Sequence, residues 1–133
     1  MDAGGEASEA AIRRCVELFN QCTVEWVDIC YSPDADWTEL PTRATPNGRA
    51  GKRAELRAAA ERLLTLFPDR RLAIRSLVAQ GQHVAAELDW SGTASENAAS
   101  PGAAVRLRIA SFFTVVDGLI STHTDYCVPA GPR

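Results

Sequence analysis

Apolar positions near the start of the chain recur at three- and four-residue steps: Ile12, Cys15, Val16, Phe19, Cys22, Trp26, Ile29 and Cys30. That spacing puts them on one helical stripe, with Arg13, Arg14, Glu17, Gln21, Glu25 and Asp28 largely off it. The period predicts a single long helix starting near Ser8 and ending before Pro33, which cannot continue the hydrogen-bond ladder. Residues 1–8 read as a disordered leader. Residues 52–67 predict a second helix burying Leu56, Ala59 or Ala60, Leu63, Leu64 and Phe67, stopped by Pro68-Asp69.

Elsewhere the period is two. Trp37 to Pro41 predicts a short strand, and the Thr-, Pro- and Gly-rich residues 42–51 predict a loop. Residues 72–79 and 83–93 predict two strands joined at Gly81-Gln82, and the small, polar residues 94–103 a loop tip. From Arg106 to Cys127 two β-branched and aromatic runs flank Asp117-Gly118. Asp-Gly between such runs is a strong hairpin signal, because both central residues of a type I′ turn need positive φ. The tail from Val128 is expected to lack regular structure.

Helices first and strands afterwards predict an α+β fold, in which a curved antiparallel β-sheet wraps around N-terminal helices. Such a sheet encloses a cone-shaped cavity suited to a hydrophobic small-molecule ligand. At 133 residues the chain fits a single domain.

Composition narrows the choice. A net charge of −3, with Lys52 the sole lysine, argues against a nucleic-acid surface. No apolar run is long enough for a membrane span, and no signal-peptide core opens the chain. Cys15 and Cys22 lie about 10 Å apart on a continuous helix, too far to bridge. Four unpaired cysteines read as buried, reduced residues of a cytoplasmic protein. No metal-ligand cluster and no nucleophile motif is visible, so no metal and no cofactor is expected.

The richest polar patch closes the hairpin: His123-Thr124-Asp125-Tyr126. Residues two apart on a strand share a face, so His123 and Asp125 point together. Counting back from a two-residue turn sets Ala110 opposite Asp125 and Phe112 opposite His123, unless a bulge intervenes. A carboxyl beside Phe112 in a partly dry cone would suit proton transfer near neutral pH. Glu87 and Asp89 share a strand face opposite Val84, Leu88 and Trp90, and so lie either in water or, if that strand is turned, in the cavity. Trp37 and Glu39 share a face of the first strand, where Glu39 is a possible acid/base partner of Asp125. Trp26, Trp37 and Phe112 are either core or the aromatic wall for a flat guest.

The long first helix, Trp37-Thr38-Glu39-Leu40-Pro41, a helix led by Gly51, Phe67-Pro68-Asp69, and Asp117-Gly118 followed by His123 to Tyr126 together resemble the SnoaL-like, polyketide cyclase-like branch of the nuclear-transport-factor-two-like superfamily. The resemblance covers residues 9–127 and implies a cystatin-like α+β barrel and a homodimer through the outer sheet face. It also implies Asp125 as an acid/base for cyclase or isomerase chemistry on a hydrophobic carbonyl compound, assisted by His123. In relatives that hydrolyse epoxides, an Arg-x-Asp pair joins the last-strand Asp; Asp89 and Asp125 match the two aspartates, and Glu87 stands in the Arg position. The two carboxylates of ketosteroid isomerases fall on Leu40 and Ser111. The resemblance turns Glu87 and Asp89 inward, which makes Asp89 a further catalytic candidate and Glu87 a substrate contact, along with Trp26, Trp37, Glu39 and Phe112.

Overall fold

In the computed structural model, which describes residues 2–130, the chain runs α1 (Ala3–Phe19), α2 (Glu25–Cys30), β1 (Tyr31–Glu39), β2 (Arg49–Gly51), α3 (Arg53–Leu66), β3 (Arg71–Gln80), β4 (His83–Thr93), β5 (Ala104–Val116) and β6 (Leu119–Pro129). The strands form one sheet in the order β2-β1-β6-β5-β4-β3. It is curved and unclosed, so the barrel implied by the resemblance is an open one. All neighbours are antiparallel except β1 and β6, which run parallel. The concave face carries Val84, Leu88, Trp90, Ile109, Phe113 and Val115, and it is covered by Ile12, Phe19, Trp26, Val27 and Leu56 of the helices. No described helix is long and apolar enough to cross a membrane.

The predicted leader is helical from Ala3. Asp2 caps it: its Oδ1 accepts from the Gly5 amide at 2.8 Å and its Oδ2 from the Gly81 amide at 2.8 Å. Ser8 donates to the Gly81 carbonyl at 2.7 Å, so the start of the chain is tied to the β3–β4 turn. Local composition could not show this, because the partner is distant in sequence.

The single predicted helix is two. Between α1 and α2 the Asn20 side chain pairs with the backbone of Leu72 in both directions, at 2.8 and 2.9 Å. Cys22 adopts φ 59°. Arg70, 1% exposed, donates from Nη2 to the Thr23 carbonyl and lies 4.2 Å above the Phe19 ring. The apolar period survives the break because both helices face the same core.

β1 begins at Tyr31, well before the predicted Trp37, and takes in Pro33; β2 falls inside the predicted 42–51 loop. Val128 and Pro129 of the predicted tail belong to β6, and residues 131–133 lie outside the described residues. The Asp117-Gly118 turn has φ 52° and 79°, as a type I′ turn requires.

Beyond that turn the register departs from the simple count. Val115 pairs with Ile120 but Thr114 pairs with Thr122, which makes Ser121 an extra residue, a β-bulge. From there every partner shifts by one. Ser111, not Ala110, faces Asp125, and Phe113, not Phe112, faces His123. Because strand side chains alternate, this slip decides what surrounds the carboxylate.

Candidate acid–base site

Asp125 and His123 project from β6 onto the concave face, with side chains 15% and 12% exposed. His123 Nε2 lies 2.7 Å from Asp125 Oδ1, and the Ser111 hydroxyl donates to the same oxygen at 2.5 Å. Tyr31, 1% exposed, places its hydroxyl 2.6 Å from His123 Nδ1. The imidazole is stacked on Phe113, with ring centroids 4.3 Å apart at 30°. β5 thus supplies Ser111 and Phe113, β6 the His and Asp, and the start of β1 the Tyr. No hydrogen bond from a described residue reaches Asp125 Oδ2, so one carboxylate oxygen is anchored and the other open.

Glu39 is the register partner of Asp125 across the parallel β1–β6 pair. Its carboxylate is taken by Arg49, at 3.2 and 2.9 Å, and Arg49 also lies 5.4 Å from the Trp37 ring. Trp37 is buried and helps line an open hollow of about 530 Å³ between α3 and β1–β2, with Arg49, Glu55, Ala59 and Arg62. Trp26 is core, packed edge-on against Phe19 and Tyr31, and its indole N–H has no partner among the described residues.

Three expected site residues stand elsewhere. Glu87 and Asp89 project from the convex face, opposite to Asp125, where Arg108 Nε meets Asp89 at 2.6 Å and Arg75 Nη1 meets it at 3.1 Å. Arg108, then Arg75, hold the Asp89 carboxyl below its usual range. Two carboxylates placed in water beside two guanidiniums avoid the several kcal/mol each would cost if buried alone. The inward placement implied by the resemblance is therefore corrected. Phe112 is also convex, 49% exposed and packed edge-on against Tyr126 at 5.8 Å, because the Ser121 bulge gives its expected place to Phe113.

Tyr31 and Ser111 are the partners that sequence reasoning missed as parts of the site. Tyr31 fell in the segment expected to connect helix and strand. Ser111 was visible only as an alignment position.

The buried acids around this site have a shared consequence. Burial pushes the Tyr31 phenol well above its ordinary value; the Cys30 thiol beside it, then burial, do the same to Cys15. Burial, then the Asp125 and Glu39 carboxylates, push Cys127 up to about 12. Each keeps its proton in the folded chain at a pH where the unfolded chain has lost it. The unfolded state then binds fewer protons, so unfolding free energy falls as pH rises. Cys30, lowered by its bond from Cys15, acts in the opposite sense. The urea midpoint is expected to hold at pH 8 and fall steadily from the ordinary thiol value of 9.0 towards about 12.

The SnoaL-like domain family model matches residues 12–123. No curated protein matches the chain. Among solved structures, AclR, a candidate hydroxylase from Streptomyces galilaeus, superposes with TM-score 0.79 at 20% identity, over 93% of this chain and 76% of that one. IdmH, a candidate polyketide cyclase from Streptomyces antibioticus, gives 0.76 at 22% identity over 92% and 91%. An M. tuberculosis LEH-like epoxide hydrolase gives 0.74 at 14% identity over 93% and 84%. These likenesses establish a shared fold. With the match spanning most of its length, this chain belongs to the SnoaL-like domain family.

Proposed function

We propose that the protein is a cofactor-independent cyclase or isomerase that moves a proton next to the carbonyl of a hydrophobic, polyketide-like substrate, with Asp125 as the base. The observation that carries this reading is the asymmetry of the carboxylate: Oδ1 is fixed by Ser111 and His123 while Oδ2 has no partner among the described residues. A base must be held in place and still have an oxygen available, and this arrangement provides both. The hollow beside Trp37 and Arg49, about 530 Å³, lies within the usual size range of small-molecule sites, and Trp37 of its wall is the register partner of His123. Epoxide hydrolysis is a weaker fit: Arg75 and Arg108 sit with Asp89 on the convex face, away from Asp125.

A second reading, a non-catalytic ligand-binding domain, is favoured by one observation. Asp125 lines neither this hollow nor the smaller one on the convex side of β4–β6. The bicyclic ketone 2-tetralone in D2O separates the two. Exchange of its α-hydrogens above the buffer rate, lost in Asp125→Asn, supports the enzyme; saturable binding by the wild type without exchange supports the binding domain and overturns the first reading.

We also propose self-association through the convex face. Exposed Val78, Phe112, Tyr126 and Val128 surround the Arg75/Glu87/Asp89/Arg108 ion cluster, so the face offers both apolar area and charges of both signs to a second copy. Phe112→Asp is expected to convert a dimer to monomer in sedimentation velocity, with melting of the monomer little changed. A wild type that is monomeric at all concentrations refutes the interface.

A further inference from the structure

Tyr31 ends a buried hydrogen-bond chain that the reading of Asp125 as base does not itself require. Its hydroxyl is 2.6 Å from His123 Nδ1, and His123 Nε2 is 2.7 Å from Asp125 Oδ1. Burial first, then the nearby Cys15, Asp125 and Cys30, keep the phenol protonated far into the alkaline range. A phenol can donate or accept, but an ionised Asp125 can only accept, so in the neutral ring Nδ1 is left to accept from Tyr31. The ring's own proton then sits on Nε2 and is donated to Asp125. The hydrogen bonds run one way along the chain, from Tyr31 through His123 to Asp125.

We propose that Tyr31 is a positioning residue which, by donating to Nδ1, holds His123 as the neutral Nε2–H tautomer. Resting on Asp125 as the base, the inference adds what orients that base. With Nδ1 occupied as an acceptor, the ring presents its Nε2–H to Asp125 and fixes the carboxylate at Oδ1. Ser111 completes the arrangement from β5 by taking a second lone pair on Oδ1. The groups around the ring are Tyr31 and Trp37 from β1, Ser111 and Phe113 from β5 and Asp125 from β6, with Glu39 beside Asp125; Cys15 of α1 and Cys30 of α2 act on Tyr31.

The test is the protonation of the His123 ring, read by long-range ¹H–¹⁵N correlation on uniformly ¹⁵N-labelled full-length protein at pH 7. His83 is the other histidine, so His83→Gln assigns the signals. In the wild type, Nδ1 is expected bare and Nε2 protonated. In Tyr31→Phe, which keeps the buried ring, the share of rings carrying a proton on Nδ1 is expected to rise roughly threefold or more, as loss of one hydrogen bond allows. A change confined to packing would not move the proton between the ring nitrogens. An unchanged ring in Tyr31→Phe overturns the inference. So does a wild-type ring that is doubly protonated or carries its proton on Nδ1, and this readout stands even if the variant does not fold. Neither readout needs substrate, so absent 2-tetralone exchange would overturn the reading of Asp125 while leaving the role of Tyr31 to be decided by the spectra.

Discussion

Asp125→Asn is expected to slow α-hydrogen exchange of 2-tetralone by about 10²–10⁴-fold, which corresponds to about 3–5 kcal/mol of barrier. The substitution is close to isosteric. An Asn oxygen can still accept from Ser111 Oγ and His123 Nε2, so the anchored half of the group survives. The open oxygen becomes an amide nitrogen, which cannot take a proton from carbon. Melting within a few degrees of wild type, with bound probe still detectable by NMR, would locate the loss in chemistry. Exchange at the wild-type rate would remove Asp125 as the base. The matching change on the convex face, Asp89→Asn, is expected to leave exchange unaltered, because that carboxylate belongs to the Arg75–Arg108 cluster.

Phe113→Ala carries the largest expected loss of stability, about 3–5 kcal/mol. Phe113 is 7% exposed, part of the concave core, and stacked against His123. Its removal leaves a cavity and takes away the wall that fixes the imidazole plane. The decrease should appear in urea unfolding and should not depend on protein concentration. Phe112→Ala, one residue away, is expected to behave differently. Its ring is half exposed on the convex face, so any destabilisation should grow or shrink with protein concentration, as an effect on association does. Similar, concentration-independent losses in both variants would contradict the register set by Ser121.

Much of the fold could be read from period alone. Leu56 and Ala60 mark α3, alternation marks β3 and β4, and Asp117-Gly118 forms the hairpin turn with both residues at positive φ. The strand reading also favoured Glu87 and Asp89 in water, because Val84, Leu88 and Trp90 fill the other face, and there they lie. The resemblance drew them inward. Local alternation was the better guide because two carboxylates are costly to bury and three neighbouring apolar side chains are costly to expose.

His123 and Asp125 were legible as a pair, since two residues apart on a strand always share a face. Their neighbours were not. The Ser121 bulge adds one residue to β6 without any Gly or Pro to announce it, and it exchanges Phe112 for Phe113 and Ala110 for Ser111 beside the site. The break between α1 and α2 was likewise hidden, because its hydrogen bonds come from Leu72 and Arg70, far along the chain. Tyr31 reaches His123 only because β1 lies parallel to β6, a pairing between distant segments. The sequence by itself therefore determined the class of fold and the hairpin, through local period and turn geometry, while Asp125 was singled out by the family resemblance. Tertiary structure alone decided the surroundings of Asp125, because strand register and long-range hydrogen bonds are settled by packing between segments that no local pattern relates.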